Sequence, residues 1–298
     1  MEYELLSEIL GNLARFLAAL SVALVGVYLY DWTTPFKARV ELAEKDNTAV
    51  GVDLIGYVLG IIALLAGAVS GAPEGAAHPL DIVVFGLLGV VLLRLGAVTA
   101  DRLILSRFSV RKELTEDRNL GVAFVTGGVS LGTGVVLAGA LAGESSGLLM
   151  GVLTTLEYFL LSQLVLVAAA LIYLRLVRYR YLDGSLHGVI EELEDNDNAA
   201  VGLAFGGYLV GVALVVSAGV IGSDITSWDA LASAVGTLAL SSVLGIGTML
   251  LVRPFVDRAV VPYAPVNSEV GEQRNLAIGG LSAAFYAGLG ALLYSITA

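Results

Sequence analysis

The chain has 298 residues, 57% of them hydrophobic and only 14% charged, with a mean hydropathy of +0.86 and a net charge of −11. Soluble domains carry about 25% charged residues, so this composition excludes an ordinary soluble fold and points into a bilayer. The 27 acids against 16 bases argue against nucleic acid as a partner, and the absence of cysteine removes disulfides, thiolate metal sites and cysteine nucleophiles.

In chain order, the first element is an apolar run at about 9–30, interrupted by Arg15. Its preceding segment, "MEYELLSEILGNLARF", is acidic where a secretory leader is basic, and no small-residue cleavage site follows. It reads as a retained first helix. The second span begins near Asn47 and is uncharged over 54–73, and the third covers 82–100 with Arg94 inside it. The fourth, 119–143, has no ionisable residue, and the fifth, 146–174, contains Glu157. The sixth, seventh and eighth, at 198–223, 230–252 and 275–298, carry no Asp, Glu, Lys or Arg. Crossing roughly 30 Å of hydrocarbon takes about 20 residues of helix, so the expected fold is an all-α membrane protein with eight transmembrane helices.

Four of these spans begin alike. Aligned on Asn47, Asn119, Asn198 and Asn275, a Glu stands six residues earlier (Glu41, Glu113, Glu192, Glu269) and an acid three earlier (Glu44, Glu116, Asp195, Glu272). Small residues recur nine residues later at Gly56, Gly128, Gly207 and Ala284, and thirteen later at Gly60, Gly132, Gly211 and Gly288. Such self-similarity is settled before any fold is assigned. Directly before the Asn stand Asp46 and Asp197 in the first and third copies, and Arg118 and Arg274 in the others. The pattern is A-B-A′-B′: a first four-helix unit over 1–145 (hairpins 1–71 and 79–143) and a second over 146–298 (hairpins 147–222 and 228–297).

All 16 Lys and Arg except Arg15 and Arg94 fall in the loops that precede the motif, and "APEGAAHP", "GESSG" and "GSDITSWD" contain none. By the positive-inside rule the motif loops face the cytoplasm and both termini face outward. Each hairpin inserts the same way up, so the copies are related by rotation about the membrane normal rather than by inversion. A pseudo-two-fold or pseudo-four-fold ring is the natural expectation.

The motif has a structural reading and a functional one. Asn is a preferred helix N-cap, carboxylates before it favour the positive end of the helix dipole, and glycines four apart let helices approach closely in lipid. A cap needs one polar residue, however, not two further acids on one helix face. Closed into a ring, the eight carboxylates would converge at the cytoplasmic mouth and attract a small cation.

Two intramembrane features stand apart, because ionisable groups in lipid are usually paired or functional. Asp53 and Arg94 lie at matching depth on consecutive helices, which predicts a structural ion pair. Glu157 has no basic residue at its depth, which suggests either a protonated, hydrogen-bonded group or a site for a cation or proton. His78 and His187 lie in different loops, so neither a metal site nor a cofactor is expected. No P-loop or nucleophile elbow is present, and the longest segment between spans, about 175–198, is too short for a catalytic domain. An enzyme is not expected; the basic, aromatic "YLRLVRYRYLDG" reads as an interfacial anchor.

The motif E-x-x-E-x-[DR]-N-x-[AG] entering a glycine-spaced helix resembles the YjfL-like family of prokaryotic inner-membrane proteins, a family of unknown function. The resemblance covers essentially the whole chain as two fused four-helix units. It implies the prokaryotic plasma membrane and a link to envelope stress, and it supplies no catalytic residues. Two functions follow as expectations. One is a channel or transporter for a small cation or proton, with an acidic vestibule and Glu157 as an inner site. The other is a non-conducting scaffold that recruits a cytoplasmic protein partner.

Overall fold

The structure is a computed structural model that describes residues 2–70, 78–142, 147–220, 227–262 and 265–297. The hairpin ends at 71, 143 and 222 and the unit junction at 145–146 lie outside the described residues. Helix α1 (Glu2–Thr33) leads through a short α2 (Ala38–Ala43) into α3 (Thr48–Ser70), and α4 (Pro79–Leu103) through α5 (Val110–Thr115) into α6 (Leu120–Leu141). The second unit repeats this order. Helix α7 (Leu148–Leu176), a β-hairpin (β1 Arg178–Arg180, β2 Leu186–Gly188) and α8 (Val189–Glu194) precede α9 (Ala199–Val220). Helix α10 (Trp228–Val260) and α11 (Val266–Val270) precede α12 (Leu276–Thr297). Eight of these helices are long and apolar enough to cross a membrane, as the sequence predicts.

They are arranged in two layers. The motif helices form one row, α3 on α6, α6 on α9 and α9 on α12, so that α3 and α12 stand at opposite ends. The other layer runs α1, α4, α7, α10, with α4 lying over the seam between α3 and α6 and α7 over that between α6 and α9. The expected ring is therefore corrected to an open row.

The reason lies in the seams. The small residues at the ninth and thirteenth positions face the next copy. A Cβ added to Gly56 would lie 2.3 Å from the Gly127 backbone, one on Gly128 2.7 Å from Gly206, and one on Gly207 2.4 Å from Ala283. Those facing residues sit at the eighth position of the next helix. Where α6, α9 and α12 have Gly127, Gly206 and Ala283, α3 has Ile55, 59% exposed. At the fifteenth position the series Gly134, Ala213, Gly290 is matched in α3 by Ile62. The seam that would close a ring from α12 back to α3 is blocked by two branched side chains.

Gly60, Gly132 and Gly211 pack as expected, against Ser130, Ala213 and Tyr286. Gly288 does not: nothing lies within 4 Å of where its Cβ would be, because α12 ends the row. The seam between the two units, α6 on α9, is as close as those within them, a Cβ on Gly202 meeting the Gly121 carbonyl oxygen at 2.1 Å.

Candidate functional site

Each motif is a clamp in which one Asn closes on one Glu. In the first copy the Asn47 backbone N–H donates to the Glu41 carbonyl (2.9 Å) and its side-chain amide to the Glu41 carboxylate (3.0 Å). The same two bonds join Asn119 to Glu113 (both 2.8 Å), Asn198 to Glu192 (3.0 and 2.8 Å) and Asn275 to Glu269 (2.8 and 3.0 Å). The Asn side-chain oxygen meanwhile caps the long helix, accepting from Val122 N–H in the second copy and from Ala200 and Val201 N–H in the third. The six-residue spacing is thus set by a turn that brings Asn back onto the first carboxylate.

That turn depends on the residue just before the Asn. Asp46, Arg118, Asp197 and Arg274 all adopt left-handed backbone, with φ of 50°, 55°, 48° and 51°. An L residue there is strained by roughly 1–2 kcal/mol, a cost glycine avoids. Arg118→Gly is accordingly expected to leave thermal stability in detergent unchanged or raise it by up to about 1 kcal/mol; a loss larger than that would mean the Arg118 side chain has a structural role of its own.

The clamps are also tied copy to copy. The amide of Asn47 donates to the Leu114 carbonyl (2.9 Å), that of Asn119 to Leu193 (2.6 Å), and that of Asn198 to Val270 and Gly271 (3.0 and 2.8 Å). Each acceptor belongs to the short helix of the following motif or its C-terminal cap. Asp197 accepts from the Asn119 amide (2.8 Å), and Arg274 donates to the Asn196 side-chain oxygen (3.0 Å). The four motifs form one continuous hydrogen-bonded ledge along one end of the row.

This geometry corrects the carboxylate reading. Glu41, Glu113 and Glu192 are buried, with their carboxylates engaged by Asn, and Glu269 is half-buried in the same bond. Burial pushes Glu41 upward, but hydrogen bonds from Lys45 and Asn47 outweigh it and hold the carboxyl below its usual range. Burial pushes Glu113 upward, and the nearby Asp117 and Asp197 charges add to that. The second acids divide: Glu44, Glu116 and Asp195 are exposed, whereas Glu272 accepts from the Leu182 backbone N–H at 2.7 Å and ties down the β-hairpin. Strung along a row rather than round a mouth, they do not converge. Among the described residues no three carboxylate or histidine side chains come together as a metal site would require.

The Asp53–Arg94 pair is corrected as well. Among the described residues the two make no ion pair within 4 Å. Tyr30 of α1 comes between them: its hydroxyl donates to Asp53, and the Arg94 guanidinium lies over the Tyr30 and Tyr57 rings, 5.1 and 5.5 Å from their centroids. Arg94 Nε donates to the Thr33 hydroxyl at 2.9 Å. Both charges line a chamber of about 180 Å³ that also takes in Asp101, Thr126 and Arg111 and lies at the motif end of the first unit.

The second unit repeats this aromatic arrangement with different charges. The Tyr57 hydroxyl donates to the Gly26 carbonyl (3.1 Å), one turn before Tyr30, and Tyr208 to Ala169 (3.3 Å), one turn before Tyr173. The Tyr30–Tyr57 and Tyr173–Tyr208 ring pairs are 5.0 and 4.6 Å apart. Arg253 on α10 takes the place of Arg94, over the Tyr286 ring and 3.5 Å from Asp257. Sequence reading assigned Arg253 to a loop, because the apolar run ends at 252 while the helix continues to Val260. It missed Tyr30 and Tyr173 because the β-hairpin lengthens the second connection and breaks the alignment; the shared pairs Gly56-Tyr57 and Gly207-Tyr208 were the available signal. Glu157 sits at the edge of the buried face of α7, where its Oε2 is buried with no hydrogen-bond partner among the described residues.

Fold and motif together define a multi-pass membrane protein built from two copies of a four-helix unit, each copy holding two Asn–Glu clamps. The chain belongs to the DUF350 family, a domain of unknown function, whose model matches residues 4–141 and again 147–296. It is similar to a UPF0719 transmembrane protein of Aquifex aeolicus (strain VF5), 28% identical over 148 residues, or 48% of this chain and 53% of that protein. The match thus spans about half the length of that relative. No solved structure matches the chain.

Proposed function

We propose that the protein is a non-conducting scaffold of a prokaryotic plasma membrane, without catalysis of its own. Its four clamps would form a rigid cytoplasmic ledge on which a protein partner assembles. The observation that supports this reading is the close packing of the row: backbone meets backbone at each of its three seams, from α3 to α12. The basic residues of the motif loops support the cytoplasmic placement of the ledge, as does the resemblance to the YjfL-like inner-membrane proteins.

A flux assay separates this from transport. Proteoliposomes carrying the protein are expected to leak K⁺, Na⁺ and protons no faster than protein-free vesicles, and a protein-dependent flux of any of the three would sink the scaffold reading. The buried, unpartnered Oε2 of Glu157 favours a second reading, passage of a proton or small cation past that carboxyl. It requires a flux that Glu157→Gln reduces at least tenfold. Under the scaffold reading the same substitution changes neither flux nor melting temperature.

A further inference from the structure

We infer that the open edge of α12 is an interface, and that it is occupied by α12 of a second copy of this chain. The face of α12 that points away from α9 carries Ala277, Ala284, Gly288 and Ser295, all exposed. These are the same motif positions that, in α3, α6 and α9, receive the next helix of the row. At those positions Gly67 meets Ala138, Gly139 meets Ser217 and Gly211 meets Tyr286, each at 2.3–2.5 Å from an added Cβ. The α12 face is therefore the forward half of a seam that the molecule forms three times, with no helix of its own chain against it among the described residues.

Facing lipid, such a face gains nothing, since acyl chains pack as well on leucine; small residues stabilise a helix surface in a membrane where another backbone comes close. The lipid-facing positions of the other end of the row show the contrast, with Ile55 and Ile62 59% and 54% exposed. The clamp at the α12 end is likewise incomplete. Asn47, Asn119 and Asn198 each donate to a backbone carbonyl of the next copy, whereas the Asn275 amide bonds Glu269 alone among the described residues.

The occupant follows from which edges can meet. Docking the α12 edge of one chain on the α3 edge of another would build an open-ended array, and Ile55 and Ile62 hold that edge off. Two α12 edges are both small. A two-fold axis along the membrane normal brings them together in parallel, the relative direction every seam within the row already uses, and closes the assembly at a dimer. This goes beyond the scaffold reading and does not depend on it.

The absence of native cysteine makes the test direct. Ala284→Cys and, at the opposite edge, Ile62→Cys are each reconstituted at low protein-to-lipid ratio and oxidised with copper phenanthroline. Packed helices bring the Cα atoms of position 284 in the two chains to disulfide range, about 4.4–6.8 Å. Ala284→Cys should give at least tenfold more covalent dimer than Ile62→Cys, and adding Gly288→Leu should remove that excess. Equal yields from the two edges, or a yield that Gly288→Leu leaves unchanged, would overturn the proposal. The native mass of the unmodified chain in mild detergent is the independent check: a dimer supports the interface, and a monomer throughout the concentration series overturns it.

Discussion

Replacing Asn198 with alanine is expected to destabilise the protein by roughly 3–5 kcal/mol, the largest single side-chain effect among the motif residues. Asn198 is fully buried and serves three partners at once. Its oxygen caps α9, and its amide holds the Glu192 carboxylate and the Val270 and Gly271 carbonyls of the following motif. The cap alone contributes about 1 kcal/mol. The rest comes from losing the two amide N–H donors that the buried carboxylate and the two backbone carbonyls share, at about 1–2 kcal/mol for each donor. Asn275→Ala is the internal comparison, because Asn275 is half-buried and, among the described residues, makes the same clamp without a bond to a further copy. It should cost about 1–2 kcal/mol. Denaturation in detergent that gave equal losses for the two would show that the copy-to-copy bonds contribute nothing. Asn198→Asp keeps the cap oxygen but sets a second carboxylate against Glu192, and should be no better tolerated than alanine.

The second large effect comes from one methyl group. In Gly202→Ala the new Cβ would lie 2.1 Å from the Gly121 carbonyl oxygen and 2.4 Å from its Cα, both backbone atoms on the neighbouring helix. No rotamer relieves that contact, so α6 and α9 must separate in the middle of the row. Overpacking of a close-packed interior costs about 1–3 kcal/mol where side chains can yield. Here the obstacle is backbone, and a loss of at least about 3 kcal/mol is expected. Gly247→Ala is the matched control, a mid-helix glycine of α10 with nothing within 4 Å of an added Cβ. It should be neutral or stabilising by up to about 1 kcal/mol through helix propensity alone. Similar melting temperatures for the two variants would contradict the assignment of α6–α9 as a backbone-contact seam.

These contrasts show what the sequence could carry and where it stopped. Span number, the fourfold repeat and the capping Asn were all legible, because charge-free runs, periodic glycines and N-cap chemistry each leave a local signature. The first Glu of each motif looked surplus to capping, and on sequence grounds it suggested a solvent-facing cation attractor. Its true partner is the Asn six residues on, reached only because Asp46, Arg118, Asp197 and Arg274 bend the chain left-handed. Nothing in a one-dimensional spacing announces that bend, since glycine, the usual marker, is absent from all four positions.

The ring failed for a different reason. Four like copies satisfy the same seam rule only if the first also offers small residues backward, and Ile55 and Ile62 do not. That information was present in the sequence, but it is visible only once the forward and backward faces of a motif helix are told apart. The Asp53–Arg94 pairing failed through a third element, Tyr30 of α1, which matching depths on two helices cannot reveal. Glu157 makes no ion pair among the described residues.

The open row is the claim on which the rest depends, and one distance tests it. Spin labels on Thr48→Cys and Leu276→Cys sit at equivalent first turns of α3 and α12, both exposed. Pulsed electron resonance on double-labelled protein, diluted with unlabelled chain to silence intermolecular pairs, reads their separation. Three interhelical steps of about 8 Å place the two backbones roughly 25 Å apart in a row, before label length is added. A distribution centred there is the predicted result. A separation near 10 Å, about one step, would mean that α3 and α12 are neighbours and that the four copies close into a ring after all.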